Sequence, residues 1–236
     1  MTDSGLLPVC ILAGGRGTRL GEAVRDTPKP LLTVAGEPFL RHQLRLLRSH
    51  GASQIVLSVG YRGELIEARI GDGADLGLEI SYIFDGPELR GTAGAVRNAL
   101  PLLGDAFFVL YGDTYLRIDY ADVQRTFQGG GFPALMTVLR NEGRWDTSNV
   151  LLQGDRVRTY DKQAPTADMH WIDYGLGLLR ADALDAAGPD EPDLGGVYAA
   201  LARDGQLGAY VATERFYEIG TPEALSETEA FLQSLV

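Results

Sequence analysis

Residues 12–32 read LAGGRGTRLGEAVRDTPKPLL. The segment gathers Gly14, Gly15, Gly17 and Gly21 with Arg16, Arg19 and Arg25, and sets Lys29 between Pro28 and Pro30. Glycine N–H groups can approach an anion closely because no Cβ stands in the way. A guanidinium fork adds charge-assisted hydrogen bonds. Leu12, Ala13, Gly14, Gly15, Arg16, Gly17 and Thr18, followed by Arg19, therefore form a candidate polyphosphate cradle; a tight strand–helix turn would explain the glycines alone. The spacing excludes two other cradles. The GxxxxGK[ST] pattern fails because no lysine follows at that distance. The dinucleotide fingerprint fails because Gly21 comes one place too late after Gly15 and Gly17.

Two prolines of fixed φ pre-orient the backbone of Lys29, a brace that a solvated surface lysine would not need. Lys29 and Lys162 are the only lysines among 21 basic residues. In so arginine-rich a chain, a lysine suggests a position where the wide guanidinium does not fit. The chain as a whole is acidic, with a formal net charge of −11. That argues against nucleic acid or an anionic membrane as a partner, so an anionic ligand needs a local basic site such as residues 12–32. Cys10 is the single cysteine, which excludes an internal disulfide and fits a reducing cytoplasm. The start, MTDSGLLPV, lacks a basic region ahead of an apolar one, so no secretory signal is expected. Charged residues or glycines interrupt every apolar run before it reaches the length of a membrane span.

The elements that must position these groups follow from periodicity. Pro8–Gly14, Gln54–Val59, Leu78–Phe84 and Ala106–Leu110 read as strands. Helical spacing marks 38–50, 64–70 and 93–100 between them, the last opened by Gly91–Thr92. This alternation predicts an α/β fold, a Rossmann-like, doubly wound, mostly parallel sheet with helices on both faces, and ligands at the strands' carboxyl ends. Later come a strand over 134–139, a hairpin of 149–152 with 156–160, and strands over 171–179 and 209–212. Helices are expected over 195–203 and over 222–235, the latter capped by Thr221 with Pro222 at its first position. Residues 189–193 (PDEPD) read as a surface loop. A single domain over 1–236 is expected, in two halves, 1–115 and 116–236.

The run from Leu12 to Leu32 resembles the signature of the sugar-1-phosphate nucleotidyltransferases, LAxGxGxRL followed by TPKPLL. Further similarities follow in order: Gly91-Thr92-Ala93-Gly94-Ala95, Tyr111-Gly112-Asp113, Asp161-Lys162, Asp173–Leu179 and Glu218-Ile219-Gly220-Thr221-Pro222. The resemblance implies Mg2+ held by Asp113 and Glu218, a triphosphate held by Arg19 and the amides of Gly14–Thr18, and Lys29 near the α-phosphate. Lys162 would position the sugar phosphate. It also implies a nucleotide side including Asp85, Gly91 and Thr92, and a sugar-phosphate side including Gly112, Asp161, Asp173 and Gly175. Two residues depart from the pattern: Glu218 stands where Asp is usual, and Asp173 where Asn is.

The implied reaction transfers a nucleotidyl group from an NTP to a sugar 1-phosphate, giving an NDP-sugar and releasing pyrophosphate. A carboxylate at Asp85 or Glu88, after the third strand, can accept from guanine N1–H and N2–H2 together, whereas uracil or thymine offers one N–H between two carbonyls. This favours GTP, with a mannose- or heptose-type sugar. The alternatives are a cytidylyltransferase for phosphocholine or another non-sugar phosphate, with Trp145, Trp171 and Tyr174 as an aromatic cage, and a non-catalytic nucleotide-sugar-binding regulatory subunit. The sequence leaves homo-oligomer formation open.

Overall fold

A computed structural model describes residues 5–15, 27–86 and 89–235. In chain order its first half forms β1 (Val9–Leu12), β2 (Thr33–Val34), β3 (Glu37–Pro38), α1 (Phe39–Ser49), β4 (Gln54–Val59), α2 (Gly63–Ile70), β5 (Glu79–Phe84), α3 (Gly91–Leu103), β6 (Ala106–Tyr111) and β7 (Thr114–Leu116). There follow α4 (Tyr120–Gly130), β8 (Ala134–Arg140), β9 (Val150–Gln153), β10 (Arg156–Tyr160), β11 (Trp171–Arg180), α5 (Leu194–Arg203), β12 (Leu207–Ala212), β13 (Phe216–Glu218) and α6 (Pro222–Gln233).

Among the described residues the main sheet has the order β5-β4-β1-β6-β11-β8-β12-β10-β9. The four strands of the first half run parallel, as expected, and β12 runs parallel to β8. The expectation of a mostly parallel sheet fails beyond them. Strand β11 is antiparallel to both β6 and β8, and β10 is antiparallel to β12 and to β9. The reason is physical: a strand buried on both faces shows the same apolar run in either direction. The β9–β10 hairpin, by contrast, forms where expected, because a two-residue turn can join only antiparallel neighbours.

Alternation along each central strand feeds two cores. Val9, Ile11, Ile55, Leu57, Phe108 and Leu110 face one side, where they meet Leu40, Leu44 and Leu47 of α1, Ile66 of α2 and Val123 of α4. Cys10, Val56, Phe107 and Val109 face the other, under Val96 and Ala99 of α3 and Val197 and Leu201 of α5. Helices thus cover both faces. Each fully buried Leu or Ile contributes about 1.5–3 kcal/mol. Burial also pushes the Cys10 thiol up to about 12, so it remains protonated in the core.

Helix α4 is not among the expected elements; Asp119 caps it by accepting from the amide of Asp122 at 2.9 Å. The cap expected for α6 is present, with Thr221 accepting from the amide of Ala224 at 3.2 Å. Helix α6 closes a third apolar cluster of Leu32, Val34, Phe39, Tyr115, Ile219 and Leu232. That cluster lies between the segment after Lys29 and the segments bearing Asp113 and Glu218, which it holds together. No helix of the described residues is long and apolar enough to cross a membrane.

Candidate active site

A cleft of about 430 Å3 opens at the carboxyl ends of the parallel strands, where Leu12, Ser58, Asp85 and Tyr111 line it. This volume suits a small-molecule ligand. Ala13, Gly14, Gly15, Lys29, Gly91, Thr92, Gly112, Asp113 and Glu218 line the same cleft. Most of the residues expected on the nucleotide and metal sides are therefore brought together. Arg16, Gly17, Thr18, Arg19 and Glu88 lie outside the described residues.

Lys29 opens a short 3-10 turn, Lys29–Leu31, entered from Pro28 at φ −54°. Its Nζ lies 2.6 Å from Asp113 Oδ2. Asp113 sits in the turn between β6 and β7, and Glu218 ends β13. The two short strands pair antiparallel, with Glu218 opposite Thr114, and the amide of Ile219 donates to the Asp113 carbonyl at 3.1 Å. Backbone pairing thus joins two acids from opposite halves of the chain. A buried Thr228 hydroxyl on α6 donates to the Glu218 carbonyl at 2.6 Å and fixes the end of that strand. Gly220 marks where the charges converge: a Cβ there would lie 2.9 Å from Glu218 Oε2 and 3.4 Å from Lys29 Nζ.

The opposite end of the cleft is different. Asp85 is 6% exposed and its Oδ1 is buried with no hydrogen-bond partner among the described residues; Ser58 Oγ is in the same condition. An unmade buried hydrogen bond costs about 1–3 kcal/mol, so each atom calls for a partner, which a water or a ligand in the cleft can supply. Gly14 lies against this corner, where a Cβ would be 3.1 Å from both Asp85 Oδ2 and the Gly60 amide nitrogen. Burial raises the pKa of Asp85 above 3.8, with Arg90 partly opposing the shift. Ionisation of Asp85 therefore works against folding. The loss is absent below 3.8, grows as pH rises through the raised folded value, and is fully present at neutral pH. Asp85→Asn is expected to melt at a higher temperature than the parent at neutral pH, with the difference vanishing towards acid. Thermal melts across that range check it; an equal or lower melting temperature at neutral pH would contradict the assignment.

The first turn of α3 carries the GTAGA residues. Gly91 has φ +72°, and a Cβ there would sit 2.4 Å from the Pro192 carbonyl oxygen. The amides of Ala93 and Gly94 donate to that carbonyl at 2.8 and 3.3 Å, and the Thr92 amide donates to Asp193 Oδ1 at 3.4 Å. These amides are engaged within the chain, so Gly91, Thr92 and Ala95 meet the cleft through their surfaces. The PDEPD segment consequently does more than loop across the surface, because Asp193 lines the cleft. Arg97 of α3 anchors the segment by donating to the carbonyls of Leu184, Gly188 and Glu191 at 2.7, 3.1 and 2.5 Å. Nothing in its composition signals this role, which arises from packing against α3.

The residues expected on the sugar-phosphate side, apart from Gly112, form a second group beside the cleft. Lys162 Nζ lies 3.2 Å from Asp173 Oδ2, which also accepts from the Tyr160 hydroxyl at 2.9 Å. Gly175 lies within a register shift of β11, between Asp173 and Gly177, at φ +95°, and its amide donates to Asp173 Oδ1 at 3.0 Å. Tyr111 links the groups: it lines the cleft, and its ring centre is 6.0 Å from Lys162 Nζ. Asp161 behaves differently from its expected role. Its Oδ1 accepts from the amides of Gln163 and Ala164 at 2.8 and 2.9 Å, which lowers its pKa and shapes the turn that presents Lys162. Trp145 and Trp171 pack against opposite cores, so no cage of Trp145, Trp171 and Tyr174 is assembled.

The sequence profile of the family described as nucleotidyl transferase matches residues 9–146. A mannose-1-phosphate guanylyltransferase of Mycobacterium tuberculosis is 29% identical over 90% of this chain and 61% of its own length. An N-acetylmuramate alpha-1-phosphate uridylyltransferase of Neisseria meningitidis serogroup B is 42% identical over 49% of this chain and 51% of its own. The chain thus spans between half and two thirds of the length of these relatives. The solved inositol-1-phosphate CTP transferase of T. maritima superposes with a TM-score of 0.81 at 19% identity, covering 98% of this chain and 96% of that one, and so shares the fold. Because the profile covers more than half of the sequence, the chain belongs to the nucleotidyl transferase family.

Proposed function

We propose that the chain transfers a nucleotidyl group from an NTP, with GTP favoured, to a sugar 1-phosphate of the mannose or heptose type, releasing pyrophosphate. One observation carries this reading: Lys29, Asp113 and Glu218 converge at one end of a cleft whose other end holds the buried carboxylate of Asp85, its Oδ1 without a hydrogen-bond partner among the described residues. In the reaction a phosphate oxygen of the sugar 1-phosphate bonds to the α-phosphorus while the bond from that phosphorus to the bridging oxygen breaks. The attacking oxygen is already ionised, so no general base is required. The work left to the protein is alignment and neutralisation of two polyanions.

Asp113 and Glu218 are the residues that would hold Mg2+. Two carboxylates with room for phosphate oxygens and waters suit that ion, and the ammonium of Lys29 on Asp113 marks a place where a cation is accepted. When bound, the ion would neutralise phosphate charge and screen the nucleophile from it. Lys29 lies beside Asp113 at the end of the cleft where the α-phosphate would come. Lys162, held by Asp173, would hold the acceptor's phosphate across Tyr111.

GTP is favoured because Asp85 accepts without donating, which matches the adjacent N1–H and N2–H2 of guanine. Pyrophosphate release from GTP, UTP, dTTP and CTP, each with mannose, heptose or glucose 1-phosphate, tests the proposal. Preference for GTP that collapses in Asp85→Asn is expected; preference for a pyrimidine nucleotide unaffected by that change would contradict it. The division of labour has its own test. Lys162→Ala is expected to raise KM for the sugar phosphate about 10- to 100-fold, the worth of a charge-assisted hydrogen bond, with nucleotide affinity little altered. Steady-state kinetics beside nucleotide titration check this, and parallel loss of both would refute it.

A further inference from the structure

We infer that Gln43 is a positioning residue for the carboxylate of Asp113, an inference that rests on the reading of Asp113 as a cation ligand. Gln43 lies on the inward face of α1 among Phe39, Leu40, Leu44 and Leu47, where the other buried side chains are apolar, and it is 1% exposed. Its Nε2 donates to the carbonyls of Tyr111 and Thr114, at 2.8 and 2.7 Å. Those carbonyls bracket Gly112 and Asp113, so one amide group ties both ends of the turn that presents the carboxylate. Both neighbours are acceptors, which fixes the amide orientation: reversed, it would set oxygen against two oxygens.

The remaining atom of the amide shows that core packing is not what Gln43 serves. Its Oε1 is buried with no partner among the described residues. An apolar side chain of similar size would avoid that cost, but it would leave the two carbonyls untied. The rest of the turn is held from other directions: the Gly112 amide donates to the Leu12 carbonyl at 2.9 Å, the Ile219 amide to the Asp113 carbonyl at 3.1 Å, and the Thr114 hydroxyl to Asp113 Oδ1 at 3.1 Å. Gln43 supplies the contact from the helix layer beneath. Mg2+ demands a near-ideal octahedron, so small displacements of one carboxylate weaken its binding.

The test uses the full chain with Gln43→Met and Gln43→Leu, and with Leu44→Ala as a packing control on the same helix. Mn2+ affinity is read by electron paramagnetic resonance, the Mg2+ requirement by pyrophosphate release, and metal-free GTP affinity by titration. Either Gln43 variant is expected to weaken Mn2+ binding and raise the Mg2+ requirement about 10-fold or more, the range seen for residues behind metal ligands. Metal-free GTP affinity should stay within about two-fold. Leu44→Ala should lower the melting temperature without moving metal affinity. Unchanged Mn2+ binding in both Gln43 variants, or metal and metal-free nucleotide binding falling together, would overturn the inference. Equal Mn2+ binding by the parent and Asp113→Asn would remove the ligand reading itself, and the inference with it.

Discussion

Asp113→Asn is expected to lower turnover about 1000-fold or more, since losing several kcal/mol of charge stabilisation at about 1.4 kcal/mol per factor of ten has that effect. The fold should survive, because the surrounding turn is held by backbone hydrogen bonds that asparagine leaves in place, from Gly112 to Leu12 and from Ile219 to Asp113. The variant should therefore melt near the parent temperature and retain metal-free nucleotide binding, while losing its response to Mg2+. Steady-state rates over a Mg2+ series check all three. Turnover within a few-fold of the parent would mean that the acid of the YGD turn is a solvated carboxylate beside the cleft.

Lys29→Met has the second largest expected effect, and its two readouts move in opposite directions. Lys29 is paired to Asp113 at 2.6 Å with its side chain only 15% exposed. Removing the ammonium takes away a positive charge that would face the reacting phosphates, for which a loss of about 100- to 1000-fold in rate is the usual scale. The same change leaves Asp113 without its cation. Mn2+ should then bind the free protein more tightly than it binds the parent, because it no longer competes with Lys29. A lysine that merely stabilised the turn would lower the melting temperature and leave metal affinity unchanged or weaker.

The parts of the fold that sequence made legible are those whose signal is local. Strands β1, β4 and β6 are largely apolar runs between glycines, β5 alternates, and α1 to α3 show helical spacing, so the parallel half of the sheet is legible from local pattern. The direction of β11 is not, because Trp171–Arg180 is buried along most of its length and its pattern reads alike from either end. The β7–β13 ribbon is three residues on each side and has no periodicity of its own. It exists because Tyr115 and Ile219 pack under α6. Helix α4 did carry signals in Asp119 and the spacing of Tyr120, Val123 and Phe127, so its absence from the expected elements reflects an unread pattern.

The candidate site divides in the same way. Lys29 and the glycines are residue types suited to a polyphosphate, whereas Asp113 and Glu218 are named by the resemblance of their motifs alone. Gln43, Ser58 and Asp193 are isolated polar residues whose meaning comes from what folds against them. For Gln43 there was one clue, a polar residue among inward-facing apolar positions of a helix. Asp161 shows the converse: it stands in a motif, and its Oδ1 closes a turn by accepting from the amides of Gln163 and Ala164.

The proposed activity is nucleotidyl transfer to a sugar phosphate in the cleft of Lys29, Asp113 and Glu218. Phosphorus NMR of the chain with GTP, mannose 1-phosphate and Mg2+ tests it most directly. Equal amounts of pyrophosphate and a sugar-linked diphosphate are expected, formed only with both substrates present and lost in Asp113→Asn. Tight nucleotide binding with no diphosphate product from any nucleotide and sugar phosphate pair, or hydrolysis of GTP indifferent to the sugar phosphate, would contradict it.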